Sequence, residues 1–200
     1  MENKMKWKVK DVITTVILSV LLIVIQLAVN MICMVNDFVS MVLSVGITML
    51  ICGPVYCLMV SRVRKRFVTL IYMTLLGIVF FIMGNWFLLP YFIVIGIICE
   101  AILWKVESYE NSKRLVASWT TASLLYNGVN ILPVLFFWDT YYSFAKESGM
   151  EQSYIDSYVH YYTTPSWLVA IIVFTTLCGF IGSIIGRKLI NKHFKKAGVL

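Results

Sequence analysis

The stretch that decides the fold is "VITTVILSVLLIVIQLAVNMICM", Val12 to Met34, which holds no charged residue. Crossing about 30 Å of hydrocarbon takes a helix of about 20 apolar residues, and this run has that length. It is too long for a cleaved signal peptide and lacks the small-residue flank of one, so it is expected in the mature protein. Comparable runs follow at Phe38 to Val60, Val68 to Met83, Trp86 to Trp104, Leu115 to Trp138 and Trp167 to Leu189. The third is the shortest. The chain of 200 residues is 60% hydrophobic and 14% charged, whereas a soluble domain is about half apolar and about a quarter charged. The expected architecture is an all-α membrane protein: one domain over residues 1–200, a compact bundle of six transmembrane helices.

Basic residues collect in the cytoplasmic loops of membrane proteins, and here they are almost one-sided. Lys4, Lys6, Lys8 and Lys10 precede the first run, and Arg62, Arg64, Lys65 and Arg66 join the second to the third. Lys105, Lys113 and Arg114 join the fourth to the fifth, and Arg187, Lys188, Lys192, Lys195 and Lys196 close the chain. Only Lys146 falls on the other side, where Asp37, Asp139, Glu147, Glu151 and Asp156 lie. Both termini are therefore expected in the cytoplasm. The net charge of +7 reads as topology with some attraction for anionic lipid heads, and not as a nucleic-acid site.

Several chemistries are excluded. No G-x-x-x-x-G-K-[ST] loop exists to cradle ATP phosphates, so any ATP hydrolysis belongs to another chain. The two histidines, His160 and His193, fall on opposite sides of the membrane, which removes the paired-histidine metalloproteases. Ser183 in "GFIGSIIG" does not fit G-x-S-x-G. Cys33, Cys52, Cys57, Cys99 and Cys178 contain no C-x-x-C pair and read as small apolar packing. Neither an enzyme nor a cofactor is expected.

The polar groups inside the apolar runs carry the rest. In "LLYNGVNILP", Asn127 and Asn130 project from nearly one helix face, Gly128 permits close approach, and Pro133 leaves the Val129 carbonyl without its helical donor. Two readings follow: amides that glue neighbouring helices, or a kinked polar turn lining a cavity open to the outer face. Glu100 should face protein, and pairing with Lys105 or a basic loop residue is expected ahead of a proton relay. Small residues allow close helix contact at Thr15 and Ser19, and at Gly179, Gly182, Ser183 and Gly186; the second group is expected to pack within the chain. In the outer segment Asp139 to Ser166, Tyr154, Tyr158 and Tyr162 recur every fourth residue. They predict a short amphipathic helix between the fifth and sixth spans, acting as interfacial anchor or as wall and lid for a flat ligand. His160 in "YVHYYTTP" could also ligate a haem iron.

"KDVITTVILSVLLIVIQ", "GPVYCLMVSRVRKRF" and the ending "CGFIGSIIGRKLINKHFKKAGVL", above all "GRKLINKHFKKAG" from Gly186 to Gly198, resemble the Trep_Strep family of bacterial integral membrane proteins. That family is similar to the substrate-binding S components of energy-coupling factor (ECF) importers. The resemblance implies a bacterial cell-membrane protein that captures a micronutrient outside and docks on a transmembrane T component coupled to two cytoplasmic ATPase subunits. It implies a small-x-x-x-small contact with the T component, a pattern Thr15 and Ser19 match with residues other than the usual alanines. It also implies substrate binding near the outer face, which by position brings Trp86, Tyr91, Trp138, Tyr141 and His160 near the ligand, with Asn127 and Asn130 as its floor. An aromatic, amide-rich lining suits a vitamin, haem or nucleobase-like solute. The competing expectations are a structural or regulatory membrane protein, and a stand-alone secondary transporter, for which no internal repeat is evident.

Overall fold

A computed structural model of the chain describes residues 6–109 and 111–194. Lys4, Glu110, Lys195, Lys196 and the end of the Gly186 to Gly198 motif lie outside the described residues. The described residues form helices, without strands: α1 (Val9–Cys33), α2 (Ser44–Val63, entered through a π turn at Val39–Leu43), α3 (Val68–Ile82), α4 (Leu88–Ile102), α5 (Ser112–Tyr126), α6 (Gly128–Phe136), α7 (Trp138–Glu147), α8 (Gln152–Thr163) and α9 (Pro165–Leu189).

Among the described residues, three segments are long and apolar enough to cross a membrane: Val9–Cys33, Val39–Val63 and Pro165–Lys192. A fourth appears if Ser112–Phe136 and Trp138–Glu147, bent by 101°, are taken as one broken span. α3 and α4 are apolar but 15 residues each, about 22 Å of rise against about 30 Å of hydrocarbon. The expected third and fourth spans are thus short helices. The expected fifth is interrupted, and two helices, α7 and α8, stand where one amphipathic outer helix was expected.

α2 and α9 form the closest helix pair, and small residues explain why. A Cβ on Gly182 would lie 2.5 Å from the Leu50 carbonyl oxygen, and one on Gly53 would lie 2.5 Å from the Gly182 backbone. Leu50 is four residues before Pro54, whose missing N–H leaves that carbonyl without its helical donor. Gly182 therefore packs its backbone on the carbonyl that Pro54 frees. Gly179 meets Ser123 of α5, and Gly186 meets Pro54 and Cys57. The small-residue face of the last span packs within the chain, as expected.

Thr15 and Ser19 also turn inward. Both are fully buried, with Thr15 Oγ1 donating to the Asp11 carbonyl at 2.8 Å and Ser19 Oγ to Met59 Sδ of α2 at 3.6 Å. The outward face of α1 consists of residues such as Ile13, Ile17, Val20 and Val24.

Apart from Lys146 on the later helix α7, the described basic residues gather at one end of the bundle. Lys65 Nζ lies 3.8 Å from Asp11 at the start of α1, and the Arg66 Nε donates to the Trp104 carbonyl at 3.3 Å. Arg114 donates to the Ile102 carbonyl and to Ser108. Glu100, 4% exposed, is not paired with Lys105. Its carboxylate accepts the Thr69 backbone N–H and the Tyr109 hydroxyl, each at 2.7 Å. Thr69 is in the first turn of α3, where free N–H groups and the helix dipole favour an anion. Glu100 thus caps a neighbouring helix, and burial beside this carboxylate pushes the Tyr109 phenol well above its ordinary pKa.

Candidate functional site

The other end of the bundle holds a partly open cavity of about 230 Å³ beneath α7 and α8. The break that shapes it comes at Asn127, before Pro133. The Asn127 side-chain amide donates to the carbonyls of Ser123 at 3.2 Å and Leu124 at 2.9 Å, replacing backbone donors that a continuous helix would supply. Gly128 follows because the Tyr91 hydroxyl stands 2.0 Å from where a Cβ would be. That hydroxyl donates to the Leu125 carbonyl at 2.6 Å, splinting the break from α4. Pro133 sits inside α6, and the sharp turn falls at Phe137.

Beyond the break, Asn130 faces the cavity. Its Nδ2 donates to the Tyr162 hydroxyl at 2.8 Å, and its carbonyl accepts the Tyr158 hydroxyl at 2.6 Å. The Tyr162 hydroxyl in turn donates to the Met41 carbonyl at 2.7 Å. Ser40 and Tyr154 share a hydrogen bond of 2.8 Å, and Ser157 donates to Asp37 at 2.8 Å. The ring of Tyr141 stacks on Tyr158 at 4.4 Å between centroids and 16° between planes. α8 is thereby latched to α6 and to the start of α2. Tyr158 and Tyr162 are buried, so the tyrosine stripe forms an inner wall. Burial also pushes the phenols of Tyr154, Tyr158 and Tyr162 above their ordinary pKa, which keeps them neutral donors.

The remaining lining comes from Asn30, Met34, Ser44, Val45, Phe80, Met83, Tyr126, Val129, Phe144 and Met150. Among the described residues, no Asp, Glu, Lys, Arg or His lines it. Under the cavity, the Tyr126 hydroxyl donates to Gln26 Oε1 at 3.0 Å, and Gln26 Nε2 donates to the Tyr72 hydroxyl. Gln26 went unnoticed in the sequence, although a carboxamide in the middle of the first apolar run was its signal.

The candidate residues separate. Asn130 and Tyr141 line the cavity. Asn127 is buried beside it between two lining residues, Tyr126 and Val129, with Oδ1 unpartnered. Tyr91 is turned to the Gly128 backbone. Trp138 contacts Tyr141 and Tyr142 without lining the cavity. Trp86 is 53% exposed and lies edge-on to Phe137. His160 is exposed, against the ring of Tyr161, and does not line the cavity. Among the described residues, no three His, Cys, Asp or Glu side chains come together to hold a metal.

Fold and site describe a helical integral membrane protein with an uncharged, tyrosine-walled cavity at the end opposite its basic residues. Residues 9–196 match the family described as hypothetical bacterial integral membrane protein (Trep_Strep), and the chain belongs to that family. No curated protein and no solved structure matches it.

Proposed function

We propose that this protein captures a small uncharged solute in the cavity beneath α7 and α8, as the S component of an ECF-type importer whose ATPases are separate chains. The observation that carries the reading is the cavity itself: partly open, mostly apolar with uncharged polar groups in its lining, and roofed by helices held largely through neutral hydrogen bonds. Its volume suits a vitamin-like or nucleobase-like molecule. A porphyrin is too large for it, and His160 points elsewhere. The gathering of the basic residues at the opposite end supports a cytoplasmic location for both termini and an outward-facing cavity. Since Thr15 and Ser19 are buried, contact with a T component would run over the outward face of α1, through Ile13, Ile17 and Val24.

A second reading is favoured by the amides. Asn127 is bonded to its own helix and Asn130 to Tyr162, as expected of polar glue in a structural or regulatory membrane protein. The deciding experiment is mild extraction of the tagged chain, with mass spectrometry of co-purifying proteins and of small molecules released on denaturation. The importer reading expects a T-type membrane protein, two ATPases and a single released solute. Recovery of the chain alone and empty, under conditions that keep other importers intact, leaves the structural reading.

A further inference from the structure

The outer surface at the basic end carries a second feature. Between α5 and α9 runs an open groove of about 520 Å³, walled by Val116, Ala117, Phe180 and Ile184, with Lys113 and Arg187 on its lining. A second recess continues from Arg187 past Lys188 and Lys192. Among the described residues none of these four cations makes an ion pair. Thr120 also lines the groove, and its Oγ1 is buried without a hydrogen-bond partner.

We propose that this groove holds one anionic phospholipid, its phosphate between Lys113 and Arg187 and one acyl chain along Val116, Ala117, Phe180 and Ile184. The argument is charge complementarity joined to depth. The cations stand at the ends of two apolar helices, where lipid phosphates lie, and the apolar groove continues from them along the helices toward the bilayer interior. A zwitterionic lipid would fill the groove but leave the paired cations poorly compensated, and free phosphate would leave the apolar wall empty. This site is independent of the solute cavity, which lies at the other end of the bundle.

The test is native mass spectrometry of the purified full-length chain in neutral detergent, titrated with dioleoyl-phosphatidylglycerol or dioleoyl-phosphatidylcholine. The expected result is one phosphatidylglycerol bound about tenfold more tightly than phosphatidylcholine. Lys113→Gln and Arg187→Gln each weaken phosphatidylglycerol about fivefold and leave phosphatidylcholine unchanged, since each removes one cation near the headgroup. Lys10→Gln, which removes a charge at the same end on α1, keeps the preference. Ala117→Trp fills the groove without changing charge and removes the tightly held lipid. Equal binding of the two lipids overturns the proposal, as does an equal loss in Lys10→Gln or a melting shift with inorganic phosphate matching that with phosphatidylglycerol. A variant that lowers both lipids alike through misfolding is decided by the Ala117→Trp and Lys10→Gln pair.

Discussion

The two ends of the bundle are closed by different chemistry. At the basic end the contacts involve full charges: Glu100 on a helix N-terminus, Arg114 on a helix C-terminal carbonyl, and the Arg66 guanidinium 4.9 Å from the Trp104 ring centre. At the other end phenols and an amide meet backbone carbonyls and rings stack, while its charged contacts, Ser157 on Asp37 and Lys146 on Gln152, are half-buried or exposed, unlike the buried Glu100. Charge-assisted hydrogen bonds are about twice as strong as neutral ones. The basic end is therefore the fixed end. The roof of α7 and α8 is held by contacts that can open and close again at small cost, as a site admitting a solute requires.

The largest effect tests that contrast directly. Glu100→Leu leaves the Thr69 N–H and the Tyr109 hydroxyl buried without an acceptor, and should cost about 3 kcal/mol. Tyr158→Phe removes one neutral bond to Asn130 and should cost about 1 kcal/mol. Thermal unfolding of both variants in the same detergent gives the ratio, and equal losses would erase the distinction between the ends.

Next in size is the split between the two asparagines. Asn130→Ala should lower solute retention about tenfold while costing about 1 kcal/mol of stability, because Asn130 both lines the cavity and holds Tyr162. Asn127→Ala should cost a similar amount of stability with a smaller change in retention, since its donors serve the helix break. Parallel losses of retention and stability at both positions would favour polar glue.

The roof should also respond to pH in one direction only. Burial raises the phenols of Tyr154, Tyr158 and Tyr162, so the folded state binds these protons more tightly than the unfolded chain. Their contribution is fully present below the ordinary phenol value of about 10 and is lost as pH rises through the raised values. Solute retention should stay flat from about pH 5 to about pH 9. A fall between those limits would mean that a charged group, absent from the lining, controls the site.

The sequence carried the class of protein because apolar runs of membrane length are a composition signal that needs no neighbours. It carried less of the packing. Thr15 and Ser19 are small enough for close contact, yet spacing alone does not say whether the partner is α2 or another chain. The Asn127 break was masked by Pro133, the stronger breaker, because the replacement of backbone donors by a side-chain amide depends on a rotamer. Glu100 finds Tyr109 through a 3-10 turn nine residues later, beyond the reach of helical periodicity. The tyrosine stripe was legible as a stripe, but which way it faced depended on Asn130 and Met41, far away in sequence.

The smallest expected effects mark the boundary of the site. Trp86 and His160 were placed near the ligand by their position along the chain, and both lie outside the cavity wall. Exposed residues with few contacts usually change stability by less than about 0.5 kcal/mol when truncated. His160→Ala and Trp86→Ala should therefore leave both melting and solute retention within error of the parent. The His160 variant is the sharper of the two, because its exposed side chain stands against Tyr161 and not in the cavity lining. Loss of retention in His160→Ala with unchanged melting would show that α8 turns its outer face to the solute when loaded. That outcome would make the roof a moving part with two faces in use.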